Sequence, residues 1–134
     1  MFSLLYISQS CLIMPDQERC VQDIVSVGRS RNKALDVTGA LIFTETHFAQ
    51  ILEGAEDRVA ELMRSIVRDE RHTNVDIILR ERLGARRFCS WSLAYAGPAD
   101  LVADIVSPLL TETRERRDAS RLTTALVEMA TITG

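Results

Sequence analysis

The chain has 134 residues, 46% of them hydrophobic and 26% charged, and a formal net charge of −3. That length suffices for one domain with its own core and needs no metal or disulfide staple. Mild acidity excludes a nucleic-acid footprint, and the basic stretch Arg80 to Arg87, interleaved with Glu81, reads as a solvated face. Cys11, Cys20 and Cys89 follow no metal-ligand spacing and are odd in number, which points to reduced core thiols in a cytoplasmic protein. The apolar start, Met1 to Tyr6, lacks a basic leader. It meets Ser8-Gln9-Ser10 too early for a signal peptide or a membrane span.

Residues 2–9 carry apolar side chains on both faces, Phe2, Leu4 and Tyr6 against Leu5 and Ile7, which predicts a central strand covered on two sides. A helix is expected to open at Pro15-Asp16-Gln17-Glu18 and to bury Cys20, Val21, Ile24, Val25 and Gly28. Extending that stripe by one turn reaches Arg31 and Asn32, so two polar side chains arrive at the end of an apolar face. Asp36 to Thr44 and His47 to Gly54 read as a hairpin around Glu45-Thr46, without the favoured Asn-Gly turn chemistry. Glu56 and Asp57 open a second helix, in which Val59, Leu62, Met63 and Ile66 recur at helical spacing.

Further strands are expected near 74–82 and 87–95. The order βαββαβ plus one strand predicts an α+β, ferredoxin-like mixed sheet with both helices on one face. Gly97-Pro98 then opens a helix through about Leu110, interrupted near Pro108. Another is expected from Glu112 to about Thr131, with Leu122, Leu126, Met129 and Ala130 in its stripe. This helical pair is the natural cap for the second sheet face, dividing the chain into residues 1–96 and a C-terminal extension, 97–134.

Gln50 is the most informative side chain. In Phe48-Ala49-Gln50-Ile51-Leu52-Glu53-Gly54 a period of two puts Phe48, Gln50 and Leu52 on one face, so an amide points where apolar groups point. Burying it unpaired costs about 1–3 kcal/mol, and a partner that both donates and accepts is expected there. Taken singly, Gln50 reads as a satisfied core amide, Tyr6 as an ordinary strand aromatic and Asn32 as a helix-end residue. Their joint occurrence with other blocks changes that reading.

Those blocks are Tyr6, Ser30-Arg31-Asn32 followed by Thr38-Gly39-Ala40-Leu41, the Phe48 to Gly54 run, Asp69-Glu70-Arg71-His72, and Arg87-Phe88-Cys89-Ser90-Trp91-Ser92. In this order and spacing, residues 1–96 resemble the BLUF family, blue-light sensors that use flavin. The resemblance implies a photoreceptor rather than an enzyme, holding FAD non-covalently, with FMN or riboflavin left open. It implies that Ile24 and Ile66 sandwich the flavin ring over Phe48, that Asn32 bonds its O4 edge, and that Gln50 joins its N5/O4 side to Tyr6. Arg31 would reach the O2/N3 edge, where relatives more often carry a neutral or His side chain. Asp69 and His72 would lie by the ribityl chain and phosphates.

By the same resemblance, excited flavin draws an electron and a proton from Tyr6, and Gln50 rotates or tautomerises to leave a red-shifted state. Either Trp91 or Leu93 would sit beside Gln50, and Leu93 stands where many relatives have Met. The chain is similar to short stand-alone members, which implies signalling to a separate protein or across a homo-oligomer interface, with no membrane or nucleic-acid partner. Two other classes remain: an acylphosphatase-type ferredoxin-like hydrolase using Arg31 and Asn32, and a flavin-free interaction module. The first lacks a backbone anion loop before its first helix.

Overall fold

The computed structural model describes residues 1–13, 15–89 and 92–133. The elements are β1 (Phe2–Ser10), α1 (Gln17–Ala34), β2 (Thr38–Phe43), β3 (His47–Gly54), α2 (Glu56–Arg68), β4 (His72–Arg82), β5 (Ala94–Ala96), α3 (Leu101–Thr111), a 3-10 turn (Arg114–Arg116) and α4 (Ala119–Thr133). One sheet runs β4-β1-β3-β2-β5. Its pairs are antiparallel except β2 with β5, so the sheet is mixed and the expected α+β plan holds.

Alternation along β1 and β3 builds two cores. Leu4, Tyr6, Phe48 and Leu52 face α1 and α2, while Leu5, Ile7, Ala49 and Ile51 face α3 and α4. Both helical layers are needed because β1 is apolar on each side. On the cap, Ala103, Val106 and Leu110 of α3 and Leu122, Leu126 and Met129 of α4 close over the small residues Ala94 and Ala96. Gly39 of β2 is demanded by proximity: a Cβ there would lie 2.0 Å from the Ile51 carbonyl oxygen.

Three expectations about the C-terminal half are corrected. Among the described residues the strand expected at 87–95 is only Ala94–Ala96, because side chains take backbone groups before it, Asn32 and Arg29 donating to the Ser92 and Leu93 carbonyls. Arg86 donates to the carbonyls of Asp36 and Glu53, and the Arg87 N–H is donated to Glu53 Oε1 at 2.7 Å. Phe88 anchors this segment in the cap core as a loop rather than a strand. Pro108 does not interrupt α3, whose buried stripe outweighs one lost backbone bond near its end.

The last helix begins at Ala119, not Glu112. Asp118 caps it, accepting the Arg121 N–H at 3.1 Å, and Arg117 pins the preceding turn to β4 through Asp76 at 2.7 Å. Nor are the thiols core groups: Cys11 and Cys89 are exposed and Cys20 is intermediate.

The basic stretch is likewise not wholly solvated. Arg87 Nε bonds Glu53 Oε2 at 2.7 Å, and its Nη2 reaches Ser3 Oγ at 2.8 Å. Glu53 has 0% exposure, so Arg87 neutralises a carboxylate that water does not reach. Arg87→Met is therefore expected to cost about 3 kcal/mol or more, as for other stranded buried charges. Urea unfolding measures the loss, and adding Glu53→Gln should recover part of it by removing the charge left behind. A single variant as stable as wild type would show that the pair contributes nothing.

Candidate functional site

The helices α1 and α2 cross the same sheet face and leave a cleft between them. Tyr6, Leu41, Phe48 and Gln50 form its floor, Ile24, Arg31 and Asn32 one wall, and Ile66 and Asp69 the other. Strand pairing explains the floor: Tyr6 on β1 lies directly opposite Gln50 on β3, which lies opposite Leu41 on β2. The Tyr6 hydroxyl donates to Gln50 Oε1 at 2.6 Å in a buried bond. Here is the partner that the apolar placement of Gln50 demanded. The amide's NH2 end has no partner among the described residues and borders the cleft.

Asn32 is buried at the end of α1 and donates to the Ser92 carbonyl at 2.7 Å. One N–H and Oδ1 of that amide remain for the cleft. Helix α1 stops just beyond, where Asp36 takes a left-handed φ of 55° and the Val37 N–H returns to the Asn32 carbonyl at 2.8 Å. Ile24 and Ile66 are half-buried on facing walls, and Arg31 is exposed at the mouth.

Sequence reasoning left the partners of Asp69 and His72 unread. Asp69 forms a bidentate pair with Arg71, with contacts of 2.6 to 3.1 Å, and that hydrogen bonding holds its carboxyl below the usual range despite partial burial. His72 uses both ring nitrogens within the protein, Nδ1 with Ser8 Oγ at 2.7 Å and Nε2 with the Ile66 carbonyl at 2.6 Å. Its ring stands 6.1 Å from those of Tyr6 and Phe48, edge-on to both.

Leu93 faces the cleft and is 1% exposed. It packs on α1 where Gly28 provides room, since a Cβ on Gly28 would come within 3.0 Å of Leu93 Cδ2. The Arg29 guanidinium also donates to the Leu93 carbonyl at 3.0 Å. Alternation before β5 was the available signal for Leu93. Trp91 lies outside the described residues.

The donor set suits a flat aromatic group edged by carbonyls and ring nitrogens: two aliphatic walls, and two amides whose free ends border the cleft. Flavin fits that chemistry. The cleft volume is about 80 Å³. A larger opening of about 390 Å³, between α1, the β2–β3 turn and the start of α3, holds none of the expected site residues. Among the described residues no His, Cys, Asp and Glu group suits a metal, and no helix is long and apolar enough to cross a membrane.

Residues 1–94 match the BLUF family, described as sensors of blue-light using FAD. The chain belongs to that family of flavin-binding blue-light sensors, which displaces the hydrolase and flavin-free readings. The blue light- and temperature-regulated antirepressor BluF of Escherichia coli (strain K12) is 43% identical over 68 residues, 51% of this chain and 17% of that protein. The photoactivated adenylate cyclase subunit beta of Euglena longa is 32% identical over 95 residues, 70% of this chain and 11% of that one. The dark-state structure of BlrB, a BLUF protein, matches with a TM-score of 0.80 and 29% identity, covering 95% of both chains.

Burial, with Asp69 nearby, pushes the Tyr6 phenol well above its ordinary value of 10.0. Burial and the charges of Asp100 and Glu18 push Tyr95 up to about 12. Both raised values favour the protonated form in the folded state. Their contribution to stability is present below about pH 10 and is lost as pH rises through the folded values. An alkaline absorption titration should show no tyrosinate near pH 10 until the protein unfolds. Ionisation of either tyrosine at its ordinary value in folded protein would contradict this burial.

Proposed function

We propose that this chain is a blue-light photoreceptor in which Tyr6 is the electron and proton donor and Gln50 the reorienting switch. The buried 2.6 Å bond from Tyr6 to Gln50, with the other amide end facing the cleft, carries this reading. FAD is the form the family description favours, and it supplies blue absorption and, when excited, an oxidising ring edge. Ile24 and Ile66 would sandwich the ring over Phe48, Asn32 and Gln50 would bond its polar edge, and Arg31, at the mouth, would face its pyrimidine side. Asp69 and His72 close the far end, Asp69 through Arg71 and His72 through Ser8 rather than as direct phosphate ligands.

Tyr6 passes its phenolic proton to Gln50 Oε1 along the existing bond as it loses an electron, and both return to Tyr6 on charge recombination, so that only the hydrogen bonding of Gln50 is left changed. Exchanging the donor and acceptor ends of that amide then reverses hydrogen-bond polarity with little change of volume. Tyr6→Phe is expected to retain flavin and lose the light-induced red shift, and Gln50→Leu to do the same. Absorption spectra before and after blue light check this. A normal red shift in Tyr6→Phe removes Tyr6 from the mechanism.

Residues 1–96 act as the sensor and 97–134 as the readout in this proposal. Leu93 borders Gln50's cleft while Ala94 enters the core beneath α3 and α4. A rearranged amide therefore has a short covalent route to the cap. Output goes to a separate cytoplasmic protein or a second copy, without an enzymatic step in these residues. Hydrogen exchange in dark and light should differ over α3 and α4. An unchanged pattern there would place the readout on α1 and α2 instead.

A further inference from the structure

Away from the flavin cleft, the opening of about 390 Å³ between the start of α1, the β2–β3 turn and the approach to α3 is a groove with an apolar floor. Val21 and Phe43 are almost fully buried beneath it, and the half-buried Tyr95 and Pro98 close one side. Glu18 from α1, Glu45 from the turn and Asp100 before α3 stand around the rim. No lysine or arginine lines the groove among the described residues, so its charge is of one sign and uncompensated. Asp100 is fixed there, accepting the Gly97 N–H through Oδ2 at 2.7 Å, and its other oxygen has no partner among the described residues.

The Tyr95 hydroxyl likewise has no hydrogen-bond partner among the described residues. It lies against Gly97, where a Cβ would come within 2.8 Å of it, so the missing side chain leaves the phenol open to the groove. Burial, Asp100 and Glu18 push that phenol up to about 12, which keeps it a neutral donor at neutral pH.

We propose that this groove docks an arginine side chain of a partner protein, and that light alters the grip through Tyr95. The apolar floor takes the methylene stem, the Tyr95 ring offers its face to the cation, and the rim carboxylates accept from the guanidinium. A planar, weakly hydrated guanidinium suits such a floor better than a compact ammonium. An arginine within a chain also fits better than the free amino acid, whose own carboxylate would meet the acidic rim. The light dependence rests on the proposed Gln50 switch. Tyr95 follows Leu93 on the same face, and Phe43 stacks on Phe48 of the cleft floor with centroids 4.7 Å apart, so one apolar cluster backs both groove and cleft.

The test is a titration of flavin-loaded full chain with N-acetyl-arginine amide, followed through the backbone amide NMR shifts of Val21, Phe43, Gly97 and Asp100. Saturable shifts are expected there, with the uncharged isostere N-acetyl-citrulline amide binding roughly fivefold more weakly or worse. Free arginine and N-acetyl-lysine amide should also bind more weakly. Combining Glu18→Gln, Glu45→Gln and Asp100→Asn keeps the hydrogen-bonding shapes and should bring the arginine amide down to the citrulline level. No saturable shift, citrulline as tight as arginine, or full affinity in the triple variant overturns the proposal. Free arginine or the lysine amide binding as tightly overturns the assigned occupant, as do groove shifts that grow with protein concentration alone, which would give the groove to a second copy. Under blue light the dissociation constant should change by roughly fivefold or more. An unchanged constant beside a normal red shift overturns the light-dependent grip. A chain without the red shift removes the proposed switch itself, and the dark titration still decides the docking.

Discussion

The register between β1 and β3 is the constraint on which the site depends. It sets Tyr6 opposite Gln50, both on the face covered by α1 and α2. Slipping β3 by one residue would turn Gln50 into the cap core and bring Ala49 or Ile51 opposite Tyr6. An amide among the aliphatic groups of that core would stand unpaired, which disfavours the slip. Register is also pinned three pairs away, where Ser3 lies opposite Glu53. Arg87 bonds both side chains of that pair, so a guanidinium from a distant loop holds the two strands in step.

A second consequence concerns how close the two faces of the sheet are along the chain. Ser92 accepts from Asn32, Leu93 packs on Gly28, and the next residue, Ala94, already belongs to the core under α3 and α4. Cleft and cap therefore share a short segment whose carbonyls are held by α1. Spatial continuity of this kind supplies a route for coupling; demonstrating coupling requires a two-state element that light biases. Small side chains at Ala94, Ala96 and Ala103 let the cap sit near the sheet. In such a close-packed layer, displacements are resolved by repacking rather than by gradual deformation.

Much of this architecture was legible because it follows from periodicity. Alternation in β1 and β3 gave both cores, the stripe of α1 led to Asn32, and the placement of Gln50 among Phe48 and Leu52 demanded a polar partner. What was not legible depends on long-range side-chain bonds. Residues 87–95 have strand-like alternation, yet the Arg87 N–H goes to Glu53 and the Ser92 and Leu93 carbonyls accept from Asn32 and Arg29, none of which a local window contains. The start of α4 was missed for a related reason, since the cap at Asp118 and the Arg117–Asp76 pair fix it. His72 followed the same pattern: the family resemblance suggested a ligand, while its partners, Ser8 and Ile66, are set by tertiary structure.

The polar groups of the cleft floor, the Tyr6 phenol and the Gln50 amide, are neutral dipoles set beside the apolar Leu41 and Phe48. Tyr6 resists ionisation because burial penalises its phenolate and Asp69 adds a negative charge nearby. Asp69 is itself matched by Arg71, so its charge is partly cancelled before it reaches the floor. In a low-dielectric setting, oriented neutral groups still interact strongly, while a free charge would carry a large desolvation cost. On the proposed reading this is why a phenol and an amide suit the task. Moving a hydrogen bond from one end of Gln50 to the other changes which neighbours are donors, leaves the net charge constant, and asks little new volume of the packed core around Leu41, Phe48 and Leu93. Information is then stored as hydrogen-bond polarity, and the surrounding aliphatic walls keep water from erasing it.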